Sequence, residues 1–180
     1  MANEEYQIPI FLINGQLDSG KTRFISDTIA MGQFADAKNK LLIVCEEGEE
    51  EYSEKLLKDN GVDMVVVEKE DFNIKTLNEL DKKYDPWIVI VEYNGMWDPA
   101  LILGSEKPRG WQVYQSITLV DANSFGLQWA NMKSIIAESV KYADGDDHAH
   151  GHDDVHVRAH GHDDVHAPRH GHDDDHARGR

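Results

Sequence analysis

Cysteine is nearly absent. Cys45 is the only one in 180 residues, which excludes an internal disulfide and a zinc site built from cysteines. Long apolar runs are missing too; none approaches the roughly 20 residues that a membrane-spanning helix needs. The start, Met1-Ala2-Asn3-Glu4-Glu5, lacks the basic stretch of a secretory signal. The expectation is a soluble cytoplasmic protein. Positive charge is scarce: 18 Lys and Arg stand against 34 Asp and Glu, a net charge of −16. Such acidity speaks against nucleic acid or an anionic membrane as the main partner.

The acidity is unevenly divided. Residues 1–143 carry 24 acids and 14 bases, and residues 144–180 carry 10 acids and 4 bases. The first part is long enough to bury a core, and the second changes character completely. Two units are expected: a nucleotide-binding domain over 1–143 and a His/Asp-rich appendage over 144–180.

What is present begins with Gly15-Gln16-Leu17-Asp18-Ser19-Gly20-Lys21-Thr22. It fits G-x-x-x-x-G-K-[ST], a phosphate-binding loop. An apolar run, Ile8 to Ile13, reads as a buried strand entering it, and Thr22 to Ile29 reads as a helix leaving it. That context suits the chemistry. Glycines let the backbone curl so that N–H groups of Asp18, Ser19 and Gly20 point at phosphate oxygens, and the helix N-terminus adds partial positive charge. Lys21 can reach the β- and γ-phosphates, and the Thr22 hydroxyl can ligate Mg²⁺.

Further strands are expected at 40–45, 62–67, 87–91 and 116–120. Helices are expected at 52–59, stopped by Asn60-Gly61, at 73–84 with Ile74, Leu77 and Leu80 on one face, and at 124–142. The last carries Phe125, Trp129, Met132, Ile136 and Val140 at helical spacing. Continuous apolar strands alternating with helices indicate an α/β fold: a three-layer P-loop NTPase architecture with a mostly parallel sheet. Ligands in such sheets sit at the carboxyl ends of the strands. Trp97, Trp111 and Trp129 suit a core or an interface equally.

Three carboxylates fall at strand ends. Glu92, in Glu92-Tyr93-Asn94-Gly95, follows an apolar strand and resembles a Walker B element that would organise Mg²⁺ and water. The Gly95 N–H could approach a γ-phosphate. Asp121 can point toward the same site or cap the following helix. The run Glu46 to Glu51 reads either as a solvated loop or as a switch loop with Glu46 or Glu47 near Mg²⁺. Catalytic roles fall on Glu92 and Lys21. Nucleotide contacts fall on Gly15, Asp18, Ser19, Gly20, Lys21, Thr22, Glu46 and Gly95, and Mg²⁺ contacts on Thr22, Glu46 and Glu92.

Together these segments resemble the CobW/HypB/UreG group of P-loop GTPases, and the CobW branch most closely. Gly15 to Thr22 matches its GFLGSGKTT. Cys45-Glu46-Glu47-Gly48-Glu49 matches NEFGE, Glu92-Tyr93-Asn94-Gly95 matches ETTG, and Leu119-Val120-Asp121-Ala122 matches VVDA. The resemblance covers roughly residues 7–144. It implies GTP and Mg²⁺ as cofactors, slow hydrolysis, and delivery of a metal ion to a client metalloprotein or cofactor pathway. It also brings a homodimer into consideration. The chain departs from the group in lacking its CxCC motif and in carrying Arg23 for the second threonine. Where a strand ending in NKxD would read the guanine base, the His-rich repeats begin. The C-terminal part of the group's domain is therefore expected to be missing, and guanine selectivity does not follow from these residues.

From His150 the chain repeats every ten residues: HGHDDVHVRA, HGHDDVHAPR, HGHDDDHARG. The histidines are His148, His150, His152, His156, His160, His162, His166, His170, His172 and His176. Imidazole is a good ligand for Zn²⁺, Ni²⁺, Co²⁺ and Cu²⁺. Glycine between His150 and His152 lets both face one ion, and neighbouring carboxylates can orient the rings. Two or three ions are expected. Almost nothing here can form a core, so disorder without metal is expected.

Three readings follow. The first is a GTP-binding metallochaperone with GTPase activity. The second is a metal buffer whose truncated P-loop domain does not hydrolyse nucleotide. The third is a small P-loop kinase, which the body's two arginines, Arg23 and Arg109, disfavour because no lid-like cluster is present.

Overall fold

A computed structural model of the chain describes residues 7–45, 51–98, 100–121, 126, 130–134 and 137. The apolar run before the glycine loop forms strand β1 (Ile8–Gly15), followed by helix α1 (Lys21–Ala30) and strand β2 (Lys40–Val44). Helix α2 (Glu54–Asp59) begins where Ser53 Oγ accepts the Leu56 amide. It stops at Asn60-Gly61, where Gly61 takes φ +62°. Strand β3 (Val62–Val66) and a 3-10 turn at Lys69–Asp71 lead to helix α3 (Ile74–Tyr84). Asn73 caps α3, its side chain accepting the Lys75 and Thr76 amides. Strand β4 (Ile88–Glu92), a one-turn helix α4 (Ala100–Leu103) and strand β5 (Trp111–Leu119) complete the described order.

The strands form one sheet in the order β3-β2-β4-β1-β5, and every pairing is parallel. Alternating side chains feed two cores, as strands covered on both faces require. On one face Leu12, Leu41, Ile43, Val89 and Val91 pack with Leu77 and Leu80 of α3 and Ile102 of α4. On the other, Ile13, Leu42, Val44 and Ile90 pack with Ile25 and Ile29 of α1 and Leu57 of α2. The result is the three-layer α/β architecture of a P-loop NTPase.

Several boundaries differ from expectation. Strand β5 starts five residues early, at Trp111. Its first half, Trp111-Gln112-Val113-Tyr114-Gln115, alternates apolar and polar because β5 lies at a sheet edge, so it carries no continuous apolar run. An irregularity between Ile10 and Phe11 in its pairing with β1 leaves Tyr114 outside the ladder. Strand β4 begins after Trp87, which is 38% exposed and lies under Lys38 instead. The turn α4 was not expected; Asp98 caps it by accepting the Ala100 amide. Trp111 belongs to the core and donates from Nε1 to Asp81 at 2.8 Å, and Trp97 packs against the same cluster. Trp129 lies outside the described residues. Residues 126, 130–134 and 137 are helical, within the span expected for a helix after β5.

Candidate functional site

The sheet order creates the site. Strands β1 and β4 are neighbours, yet their connections leave in opposite directions. β1 crosses over β4 to β2 through α1 on one face, while β4 crosses over β1 to β5 through α4 on the other. Chain ends that diverge in this way open a crevice at the carboxyl edge of the sheet. The glycine loop ends β1 there, and Glu92 ends β4 there. Register places Glu92 between Ile13 of β1 and Val44 of β2.

The loop is tightly held. Asn14 Oδ1 accepts the Gly15 amide at 2.8 Å, and Ser19 N donates to the Gln16 carbonyl. Gly15 has φ +148°, and a Cβ there would lie 2.5 Å from both the Leu119 carbonyl oxygen and Ser19 Oγ. No side chain fits that position. Leu17 and Asp18 form the exposed tip, with Asp18 in the left-handed region at φ 59°. Gly20 precedes α1 at φ 84°, and the space a Cβ would take there is open to 4 Å. Lys21 is only 4% exposed, and its ammonium donates to the carbonyls of Gly15 and Gln16, each at 2.9 Å. The cation is thus held over the loop. The first amides of α1 have no partner within the helix, as at any helix N-terminus.

Across the crevice, Thr22 Oγ1 donates to Glu92 Oε1 at 2.9 Å, joining residues 70 apart in sequence. Glu92 is 4% exposed. The Tyr52 hydroxyl donates to its other oxygen, Oε2. Burial, and then the Glu92 charge, push the Tyr52 phenol well above the usual tyrosine range, so it stays a neutral donor.

The turn after β4 closes onto the loop. Tyr93 is fully buried, donates to the Asp98 carbonyl at 2.8 Å, and packs edge-on against Trp97 and Phe72. Burial raises its phenol as well, with lesser contributions from Cys45 and Asp98. This clamp presents Gly95 to Gly15. A Cβ on Gly95 would stand 2.0 Å from the Gly15 carbonyl oxygen. Gln16 Nε2 reaches the Gly95 carbonyl at 3.4 Å.

The structure therefore brings together Gly15, Ser19, Gly20, Lys21, Thr22, Glu92 and Gly95. Asp121 lies half-buried just past β5 at the same edge. Glu46, Glu47 and all ten histidines lie outside the described residues. Three contributors went unmarked in the sequence. Asn14 and Gln16 brace the loop, and polar residues ending an apolar strand were the available signal. Tyr52 reaches Glu92 across 40 residues, and nothing local announces that contact.

The residues fit a nucleotide with Mg²⁺. Ser19 Oγ is buried without a hydrogen-bond partner among the described residues, an orphan polar atom inside the loop. The Thr22 and Glu92 oxygens are hard donors of the kind Mg²⁺ selects. By contrast, among the described residues no group of three or more His, Cys, Asp or Glu is placed to hold a metal ion. A separate groove of about 1180 Å³ lies on the α1 face beside β5, lined by Phe11, Phe34, Tyr114 and Ile117, and shares no residue with the loop. Among the described residues, no helix is long and apolar enough to cross a membrane.

Comparison with known proteins agrees with this geometry. The family model for the CobW/HypB/UreG nucleotide-binding domain matches residues 9–145. No curated protein and no solved structure matches the chain.

Proposed function

The chain belongs to the CobW/HypB/UreG family, and from that premise we propose that it is a cytoplasmic, GTP- and Mg²⁺-binding metallochaperone. Residues 1–143 form its nucleotide unit. The His-rich residues 144–180 hold Zn²⁺, Ni²⁺ or Co²⁺ for a client metalloprotein or cofactor pathway. The observation that carries the nucleotide half is the Thr22–Glu92 hydrogen bond beside a buried Lys21. Two oxygens from distant parts of the chain meet there, and hard donors of this kind would suit a Mg²⁺ ion brought in with the nucleotide.

In this reading the loop amides and Lys21 bind the phosphates. Ser19 Oγ finds its missing partner there. Thr22 and Glu92 hold Mg²⁺, which when bound neutralises phosphate charge. Glu92 would also orient the attacking water, and Gly95, which closes onto the loop, would meet the γ-phosphate. Glu46 is the further carboxylate of this proposal, and the homodimer is the proposed assembly. The histidine repeats supply the transition-metal ligands, because imidazole suits those ions and each repeat holds several.

The test is binding and turnover of GTP and ATP with Mg²⁺, with and without added Zn²⁺ or Ni²⁺. The proposal expects GTP binding, slow turnover, and a response of one or both to the transition metal. Nucleotide binding without turnover would leave the metal-buffer reading. Absence of nucleotide affinity would reject the proposal.

A further inference from the structure

Both oxygens of Glu92 accept hydrogen bonds from hydroxyls, but the two donors differ in what they permit. Thr22 donates to Oε1 and keeps lone pairs on its own oxygen that a cation can use. Tyr52 donates to Oε2 and so occupies the carboxylate edge left over by Thr22. Tyr52 is partly buried against the α1–α2 core. It immediately precedes Ser53, the residue that caps α2. The tyrosine therefore links the cation side of the site to the segment entering α2.

We propose that Tyr52 is a positioning residue that holds the Glu92 carboxylate and competes for Oε2 with the Mg²⁺ that arrives with nucleotide. The inference rests on the nucleotide reading above. A buried carboxylate needs its lone pairs satisfied in the absence of a cation, and Tyr52 does this. It thereby also competes with the ion. Its release loosens the start of α2, whose cap, Ser53, follows it directly.

The experiment compares the full-length chain with Tyr52→Phe, which keeps the ring packed in the core and removes only the hydroxyl. GTP affinity is measured in EDTA and across a Mg²⁺ titration. Hydrogen exchange of the Leu56 and Leu57 amides, which bond to Ser53, is followed in parallel. Losing a hydrogen bond to a charged group should lower the Mg²⁺ concentration needed roughly ten-fold. GTP affinity in EDTA should be unchanged. Exchange at Leu56 and Leu57 should quicken on Mg²⁺·GTP binding in the parent and already be fast in the variant. Equal or weaker Mg²⁺ affinity in Tyr52→Phe, with the parent binding Mg²⁺·GTP normally, overturns the role of Tyr52 alone. If neither protein binds Mg²⁺·GTP, the nucleotide reading fails and this inference falls with it.

Discussion

Alanine at Gly95 tests the contact between the turn after β4 and the glycine loop. The added methyl would lie 2.0 Å from the Gly15 carbonyl oxygen, 2.5 Å from its carbonyl carbon and 3.0 Å from Gln16 N. All three are backbone atoms, so no side chain can swing aside. Ordinary contact begins at 3.4 Å, and the shortfall against 2.0 Å is about 1.4 Å. The clamp of Tyr93, Trp97 and Phe72 resists withdrawal of the turn, so much of that movement must fall on the loop. Overpacking of this kind costs about 1–3 kcal/mol in stability. A displacement of about 1 Å in a positioned site can cost on the order of 100-fold in function. The expectation is a fall of ten- to hundred-fold in nucleotide affinity, measured by calorimetry, with the stability loss read by urea denaturation. Gly61→Ala is the control. It sits at φ +62° with its nearest neighbour 3.9 Å away, so it is strained by about 1–2 kcal/mol but remote from the loop. It should lose stability and keep its nucleotide affinity. Parent-like affinity in Gly95→Ala would refute the contact as a determinant of loop geometry.

Other consequences are equally direct. Leu41 is fully buried in β2, between β3 and β4; Leu41→Ala should lower unfolding free energy by about 2–5 kcal/mol in chemical denaturation. Zn²⁺ on the histidine repeats should be released as pH falls from roughly 6.5 to 5, because protons compete with the metal for the same imidazole nitrogens. Protonating all ten histidines would move net charge from −16 to −6, and unchanged zinc occupancy at pH 5 would contradict the ligand assignment. Replacing those ten histidines with alanine should abolish zinc binding while leaving Mg²⁺·GTP affinity within about two-fold, since all ten lie outside residues 1–143, where the nucleotide site is.

The parts of the fold that the sequence announced are those where local chemistry and tertiary role coincide. β1, the glycine loop and α1 are one such unit, because a buried strand must be apolar and a phosphate loop must be glycine-rich. β2 and β4 are central strands buried on both faces, so their apolar runs were unmistakable. The front half of β5 was hidden because an edge strand tolerates Gln112 and Gln115. A one-turn helix such as α4 is too short to show a period. Strand order lay beyond local pattern, since adjacency of β1 and β4 is decided by how the crossovers pack. In the site, Lys21, Thr22 and Glu92 were legible from motif and strand end. Tyr52 was not, because its partner is 40 residues away and an aromatic near a helix start reads as core.

The most direct test of the central claim is the Mg²⁺·GTP affinity of the full chain against Lys21→Ala, by calorimetry. Lys21 is buried and its ammonium is held over the loop by the Gly15 and Gln16 carbonyls. Removing it should weaken binding by at least about ten-fold, the scale of a lost charge-assisted hydrogen bond. Undiminished affinity in Lys21→Ala, or no affinity in the parent, would contradict the account.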